Sequence, residues 1–233
     1  MNATDPHRPQ HGRPDPPEPD PSELRLRMHD RQLKARGIHE PAVLQAMLEV
    51  PRERFVPDEH RALAYADSPL PIGHGQTISQ PYIVALMIEA LAPEPGDRVL
   101  EIGGGSGYAA AVLSRVVAQV HTVERLAPLC ERAEQVLREL GYRNVEVVCA
   151  DGTLGWAGAA PYDGILVAAG GPEIPRSLKA QLAEGGRLVM PIGAERTQQS
   201  LIRVTRTGED EFEVEHLTEV RFVPLIGTEG WQQ

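Results

Sequence analysis

Cysteine is nearly missing from this 233-residue chain, with Cys130 and Cys149 the only two. Two are too few for a disulfide framework, and no cluster has metal-ligand spacing. Both therefore read as buried thiols, and no metal is expected. Positive charge is also short: 23 Lys and Arg against 33 Asp and Glu leave a formal net charge of −10. Affinity for a phosphate backbone needs basic side chains, so no nucleic-acid partner is expected. The N-terminus has no apolar signal core, and no run approaches the ~20 apolar residues that a membrane span requires. A soluble cytoplasmic chain without membrane contact is the expectation. The length suits one well-buried domain, not two.

What is present begins with Pro, Asp, Arg and His crowded into residues 1–22, with almost no large apolar groups. Such a stretch cannot bury enough surface to offset its ordering entropy, and a disordered tail is predicted. Residues 23–233 then form a single domain, with helices and a loop over 23–95 and a sheet over 96–233. Ser22 can cap a helix running through Arg36, which Gly37 ends. Pro41 opens a second helix, stopped before Pro51. Residues 71–81 are too interrupted by Gly and Pro for regular structure. Pro81 starts a third helix ending near Pro93, so Ser79 and Gln80 lie at its amino end, where backbone N–H groups favour an anion. From position alone, Ser79 reads first as a cap of that helix, with a role toward an anion as the alternative.

Beyond Gly96 the pattern alternates regularly. Strands are predicted at 98–102, 120–123, 145–149, 162–167 and 187–191, with helices at 108–117, 126–140 and 175–182. Antiparallel strands at 200–206, 212–217 and 219–225 follow. The fold class is α/β, a doubly wound and mostly parallel seven-stranded sheet with N-terminal helices and antiparallel C-terminal strands. Ligands bind at the carboxyl ends of such strands.

The chain is organised around Val99-Leu100-Glu101-Ile102-Gly103-Gly104-Gly105-Ser106-Gly107-Tyr108. A strand meets an acid, then a Gly-rich turn, then an amphipathic helix. A dinucleotide turn reads G-x-G-x-x-G/A. Here Tyr108 stands where Gly or Ala belongs and would push the helix away from a pyrophosphate. Glu101 faces the same place, and its charge repels a pyrophosphate but suits a cation. Glu124 and Asp151 end the next two strands. Glu124, about 21 positions after Gly103, can accept both hydroxyls of a ribose. Asp151 can accept from the exocyclic amine of adenine, and Gly152 lets the ring approach the backbone. Glu101, Gly103, Gly105, Ser106, Gly107, Glu124, Asp151 and Gly152 thus form a candidate pocket for S-adenosylmethionine, whose sulfonium and amino group match the sign of the site.

At this point the chain resembles the protein-L-isoaspartate O-methyltransferases, over about Leu24–Leu225. The resemblance rests on Gly75-Gln76-Thr77-Ile78-Ser79-Gln80-Pro81-Tyr82, the Gly103–Tyr108 loop, Val123-Glu124-Arg125, Asp151-Gly152-x-x-Gly155-Trp156 and Arg221-Phe222-Val223-Pro224-Leu225. Gly104 and Ala150 depart from the family pattern, which has a Thr, Ser or similar small residue at the first and commonly Gly at the second. The resemblance implies methyl transfer from S-adenosylmethionine to the α-carboxylate of L-isoaspartyl residues in aged proteins and peptides. It implies Ser79 as the active-site residue, with Thr77, Ile78, Gln80, Val223 and Leu225 around the substrate. His74 reads as a loop residue, and Tyr82 and Trp156 as packing residues that could border a peptide groove. A monomer is expected. Competing readings are a methyltransferase of the same fold acting on one dedicated protein, a small molecule or RNA, a cofactor-binding module without activity, and a dehydrogenase.

Overall fold

The computed structural model describes residues 20–232. The tail expected over 1–22 lies outside the described residues except for residues 20–22, which open the first helix. That helix, α1 (Pro21–Met28), is capped by Asp20 rather than Ser22: the Asp20 carboxylate accepts the Ser22 N–H at 2.9 Å. Pro21 is the reason. It occupies the first helical position, where its missing N–H costs nothing, and the cap moves one residue upstream of it. A wide turn at His29–Leu33 and a tight one at Lys34–Arg36 continue the helical path to Gly37, which ends it at φ 92°. Helix α2 (Pro41–Glu49) follows.

The segment expected to be irregular is a small antiparallel hairpin, β1 (Leu70–Gly73) with β2 (Gln76–Ile78). Its two turn residues, His74 and Gly75, both have positive φ, 53° and 71°. This is the mirror-image geometry that two-residue hairpins require, with His where Asn is more usual. Helix α3 (Pro81–Leu91) leaves directly from the hairpin.

The main sheet has seven strands in the order β5-β4-β3-β6-β7-β8-β9. They are β3 (Arg98–Ile102), β4 (Gln119–Glu124), β5 (Val145–Cys149), β6 (Tyr162–Val167), β7 (Leu182–Glu195), β8 (Gln198–Arg206) and β9 (Phe212–Val220). The first five are mutually parallel, and β8 and β9 are antiparallel. Helices α4 (Tyr108–Leu113), α5 (Ala127–Glu139) and α6 (Arg176–Gln181) complete the crossovers. Strand order reverses at β3, which pairs with β4 on one side and β6 on the other. That places a cleft at the carboxyl ends of β3 and β6.

Side chains alternate across the sheet, as a strand period of two demands. Val99, Leu166 and Val189 pack against the N-terminal helices, α3, α4 and α5. Leu100, Ile165, Val167, Leu188 and Met190 fill a second core on the opposite face.

Three further expectations change. Helix α4 is shorter than predicted, and β7 starts at Leu182 without an intervening loop. No separate strand covers 219–225. Instead β9 runs through Val220, and the chain then leaves the sheet to run beside the loop after β6, with Gly170 N–H bonded to Val223 O and Leu225 N–H to Gly170 O, each 2.8 Å. Pro224 has no N–H to offer a ladder, which suits a single bridge and not a strand.

Finally, Cys130 and Cys149 are not free thiols. They form a disulfide with a Cα–Cα distance of 5.8 Å, joining the first turns of α5 to the end of β5. The two residues lie far enough apart in sequence for their proximity to depend on the β4–α5–β5 crossover, which spacing alone does not reveal. Closing a loop between residues 19 apart removes unfolded-state entropy equivalent to about 3 kcal/mol. Reduced protein, or the Cys149→Ser variant, is therefore expected to melt about 6–12 °C below the oxidised protein in a calorimetric scan. Equal melting temperatures would show that the bridge adds no stability.

Candidate active site

The cleft at the switch point is lined from three directions. Glu101 through Ser106 form its base, Glu124 and Gly152 its far edge, and Gln76 through Ser79 with Val223 through Ile226 its cover. Strand β3 delivers Glu101 on the same face as Val99, where it is 1% exposed. Its register partner on β4 is Thr122, whose hydroxyl donates to the Glu101 carboxylate at 2.6 Å. Burial pushes the Glu101 carboxyl up to about 8. The hydroxyl bond opposes that shift and the nearby Glu124 charge adds to it. A move from 4.5 to about 8 corresponds to about 5 kcal/mol against the ionised form. No cation offsets this among the described residues, so the carboxyl of the ligand-free protein keeps its proton at neutral pH, and a cation placed beside it would favour the ionised form.

The departure at Gly104 has a physical explanation in the same contact. A Cβ built on Gly104 would meet the Thr122 hydroxyl at 2.3 Å. A larger residue here and a Thr122 in this rotamer exclude each other. Gly152 makes a similar approach, its notional Cβ falling 2.7 Å from Ile102.

Glu124 ends β4 and is 7% exposed. One of its oxygens accepts the Gly105 N–H at 3.0 Å and the other the Leu126 N–H at 2.9 Å. It thus pins the glycine loop while keeping one acceptor position free on each oxygen. Gly103, Gly105 and Ser106 line the cleft beside it.

Two expected cofactor residues sit elsewhere. Gly107 does not line the cleft. It begins α4 at φ 83°, and a Cβ there would press on Ala133 and Leu137 of α5 at 3.3 and 3.2 Å. Its task is to seat one helix against another. Asp151 is turned away from the cleft toward the C-terminal segment. One carboxylate oxygen accepts the Thr153 N–H and hydroxyl, and the other accepts the Thr228 N–H and hydroxyl, at 2.6 to 2.9 Å. Burial alone would raise its pKa, but these four bonds outweigh it and hold the carboxyl below its ordinary range. All four acceptor positions are occupied, and its neighbour Gly152 forms the cleft edge instead.

The cover is built by hydrogen bonds remote from it. Trp231 donates its indole N–H to Gly170 O at 3.0 Å, and Gln199 accepts the Phe222 N–H at 2.8 Å. Together with the Asp151–Thr228 bonds, they hold Val223, Pro224 and Leu225 over the cleft. Ser79 faces them from the end of the hairpin. Helix α3 has Gln80 as its N-cap and no side-chain capping bond, so the Ser79 hydroxyl is not spent on capping.

Outside this cover lies a second concavity of about 860 Å3, bordered by Arg36, Gln80, Tyr82, Arg196 and Thr218 through Phe222. Gln80 lies in this outer groove only, and Ile78 and Leu225 in the inner cleft only. Tyr82 borders the groove with the Arg36 guanidinium 3.5 Å above its ring, whereas Trp156 packs into the second core. Thr77, Ser79, Ala168, Val223 and Pro224 line both spaces. Ser79 therefore stands at the mouth between the acid-lined cleft and the outer groove.

A family model described as protein-L-isoaspartate(D-aspartate) O-methyltransferase matches residues 28–230. The chain belongs to this family. A protein-L-isoaspartate O-methyltransferase from Rhodopseudomonas palustris is 61% identical over 88% of this chain and 94% of its own length. Among solved structures, one protein-L-isoaspartate O-methyltransferase superposes with a TM-score of 0.82 at 35% identity, covering 88% of this chain and 67% of the other. A Plasmodium falciparum homologue in complex with S-adenosyl-L-homocysteine gives 0.74 at 27% identity, covering 90% and 99%. Thr77 and Ser79 from the hairpin and Val223 from the segment after β9 line both the cleft and the groove.

Because Glu101 keeps its proton to about pH 8 when folded but releases it near 4.5 when unfolded, the folded protein binds the extra proton throughout that window. Stability of the ligand-free protein is expected to fall as pH rises from 4.5 to 8, and Glu101→Gln should flatten this slope. Melting curves at a series of pH values check it; a slope unchanged in the variant would assign the titration to another group.

Proposed function

We propose that this protein transfers a methyl group from S-adenosylmethionine to the α-carboxylate of L-isoaspartyl residues in damaged proteins and peptides. One observation supports this reading above the others: Ser79 lies where an acid- and glycine-lined cleft meets a second, larger groove. The cleft fits the donor by charge and by close backbone approach. When bound, the donor supplies an electrophilic methyl carbon on a positively charged sulfur. Glu101 would face the cationic end of the donor, Glu124 would accept the ribose hydroxyls through its free acceptor positions, and Gly152 would lie against the adenine.

The chain's own residues then have little bond-making to do. A substrate carboxylate with a pKa near 3.5–4 is already ionised at neutral pH, so no general base is required. Ser79 would donate its hydroxyl to that carboxylate and hold one oxygen in line with the methyl carbon, about 3 Å away. Thr77, Ile78 and Gln80 shape the hairpin side of the mouth, and Val223 and Leu225 the opposite side. The cover of Val223–Ile226 keeps water from the reacting atoms, strengthening each charge interaction inside. Once esterified, the carbonyl is the better electrophile for the next backbone amide: its nitrogen forms the new C–N bond, the ester C–O bond breaks, and a succinimide forms as methanol leaves with the amide proton.

A charge-assisted hydrogen bond contributes roughly 1.5–3 kcal/mol, or about 10–150-fold in rate. Ser79→Ala is expected to lose turnover by that factor on an isoaspartyl peptide with donor affinity unchanged. Labelled-methyl transfer to paired peptides differing only in the isoaspartyl linkage measures this, and transfer to the normal aspartyl peptide, to RNA or to neither would point to one of the competing activities. Glu124→Ala should weaken donor binding at least about tenfold, since it removes ribose contacts and the Gly105 anchor together. Calorimetric titration with an unchanged dissociation constant would remove Glu124 from the pocket.

A further inference from the structure

We infer that Arg52 is a positioning residue for methyl transfer, holding the Ser79 backbone in register with the glycine loop through its buried guanidinium. The inference rests on the reading of Ser79 given above. Arg52 follows α2 and is completely buried. Its Nη2 donates to Ser79 O at 2.7 Å, and its Nε donates to Ala64 O at 2.7 Å. Its Cζ lies 4.8 Å from the ring centroid of Tyr108, the residue that begins α4 at the end of the glycine loop. Nη1 is buried without a hydrogen-bond partner.

This arrangement is costly as a structural tie alone. A buried cation normally stands beside a carboxylate, and among the described residues Arg52 forms no ion pair. Its partners are two carbonyl dipoles and an aromatic face. The carbonyls come from residues 12 and 27 positions away, and only a planar fork with donors in fixed directions can reach both while stacking on a ring. Arg52 thereby touches the end of the short helical segment Asp58–Leu63 at Ala64, the carbonyl of the substrate-facing serine and the helix that follows the cofactor-facing loop. Phe55 supports the same ring from a second side, its centroid 5.6 Å from that of Tyr108. Shifting the Ser79 peptide moves its hydroxyl relative to the cleft, and in-line transfer tolerates little displacement.

Lysine at this position keeps the charge but offers a single donor point, so it cannot hold both carbonyls. Arg52→Lys is expected to lower kcat about ten- to a hundredfold, with the dissociation constant for S-adenosylmethionine changed less than twofold. Arg52→Ala should lose more and regain part of its kcat when guanidinium ion is added at millimolar concentration. Coupling to Ser79 separates this inference from the reading beneath it. In a Ser79→Ala background, Arg52→Lys should cost little further turnover, because the group it positions has gone. Full kcat in Arg52→Lys, failure of both variants to fold, or loss of kcat and donor affinity in equal measure would overturn the positioning role. Ser79→Ala with unimpaired turnover would instead refute the role given to Ser79, and is read from that single variant.

Discussion

A carboxylate at the tip of the central strand, shut away from water and without a cation beside it, is the condition to which the rest of the site is fitted. Glu101 is kept there by its place in the fold: β3 lies between β4 and β6 at the centre of the sheet, and packing over that face leaves the Glu101 side chain 1% exposed. Thr122, opposite it in the ladder, satisfies one of its oxygens. The glycine at position 104 leaves room for that hydroxyl. Glu124, one strand over, is spared such isolation because backbone N–H groups of the loop it holds approach both its oxygens. The two acids thus divide their work, one offering a buried carboxyl that a cation would ionise and the other setting the shape of the cleft's lip.

The chemistry proposed for this cleft depends on placement more than on proton transfer, and the structure invests accordingly. The hairpin β1–β2, the end of α3 and the segment after β9 converge on the mouth from unrelated parts of the chain. Each is tied down at a distance from it. Asp151 is the clearest instance: its four hydrogen bonds fasten residues 153 and 228 together, so that a strand-end acid stabilises the cover. Arg52 does the equivalent for the hairpin side. A lid of this kind can be thin, since its residues need only keep their positions and exclude water.

Much of this was legible from the residues in order. The three strand-end acids, the glycine loop and the alternation of strand and helix follow from local patterns whose physical basis is short in range. The hairpin was missed because His74-Gly75 is a rarer version of a familiar turn, recognisable only from the positive φ that both residues adopt. The cap of α1 shifted because Pro21 sets the first helical position. Asp151 and Gly107 have the right residue types in the right places on the chain, yet their side-chain surroundings belong to contacts with residues 228 and 133–137, far away in sequence.

By itself, then, the order of residues determined the sheet, the loop at its switch point and the sign of charge there, because hydrophobic period and turn chemistry act between neighbours. Only the tertiary structure decided which acids look into the cleft, that the two cysteines meet, that a buried arginine grips the Ser79 carbonyl, and that two cavities share one mouth. Those are matters of direction and distance between segments brought together by packing, and a side chain's direction is set by what it packs against, not by its place in the chain.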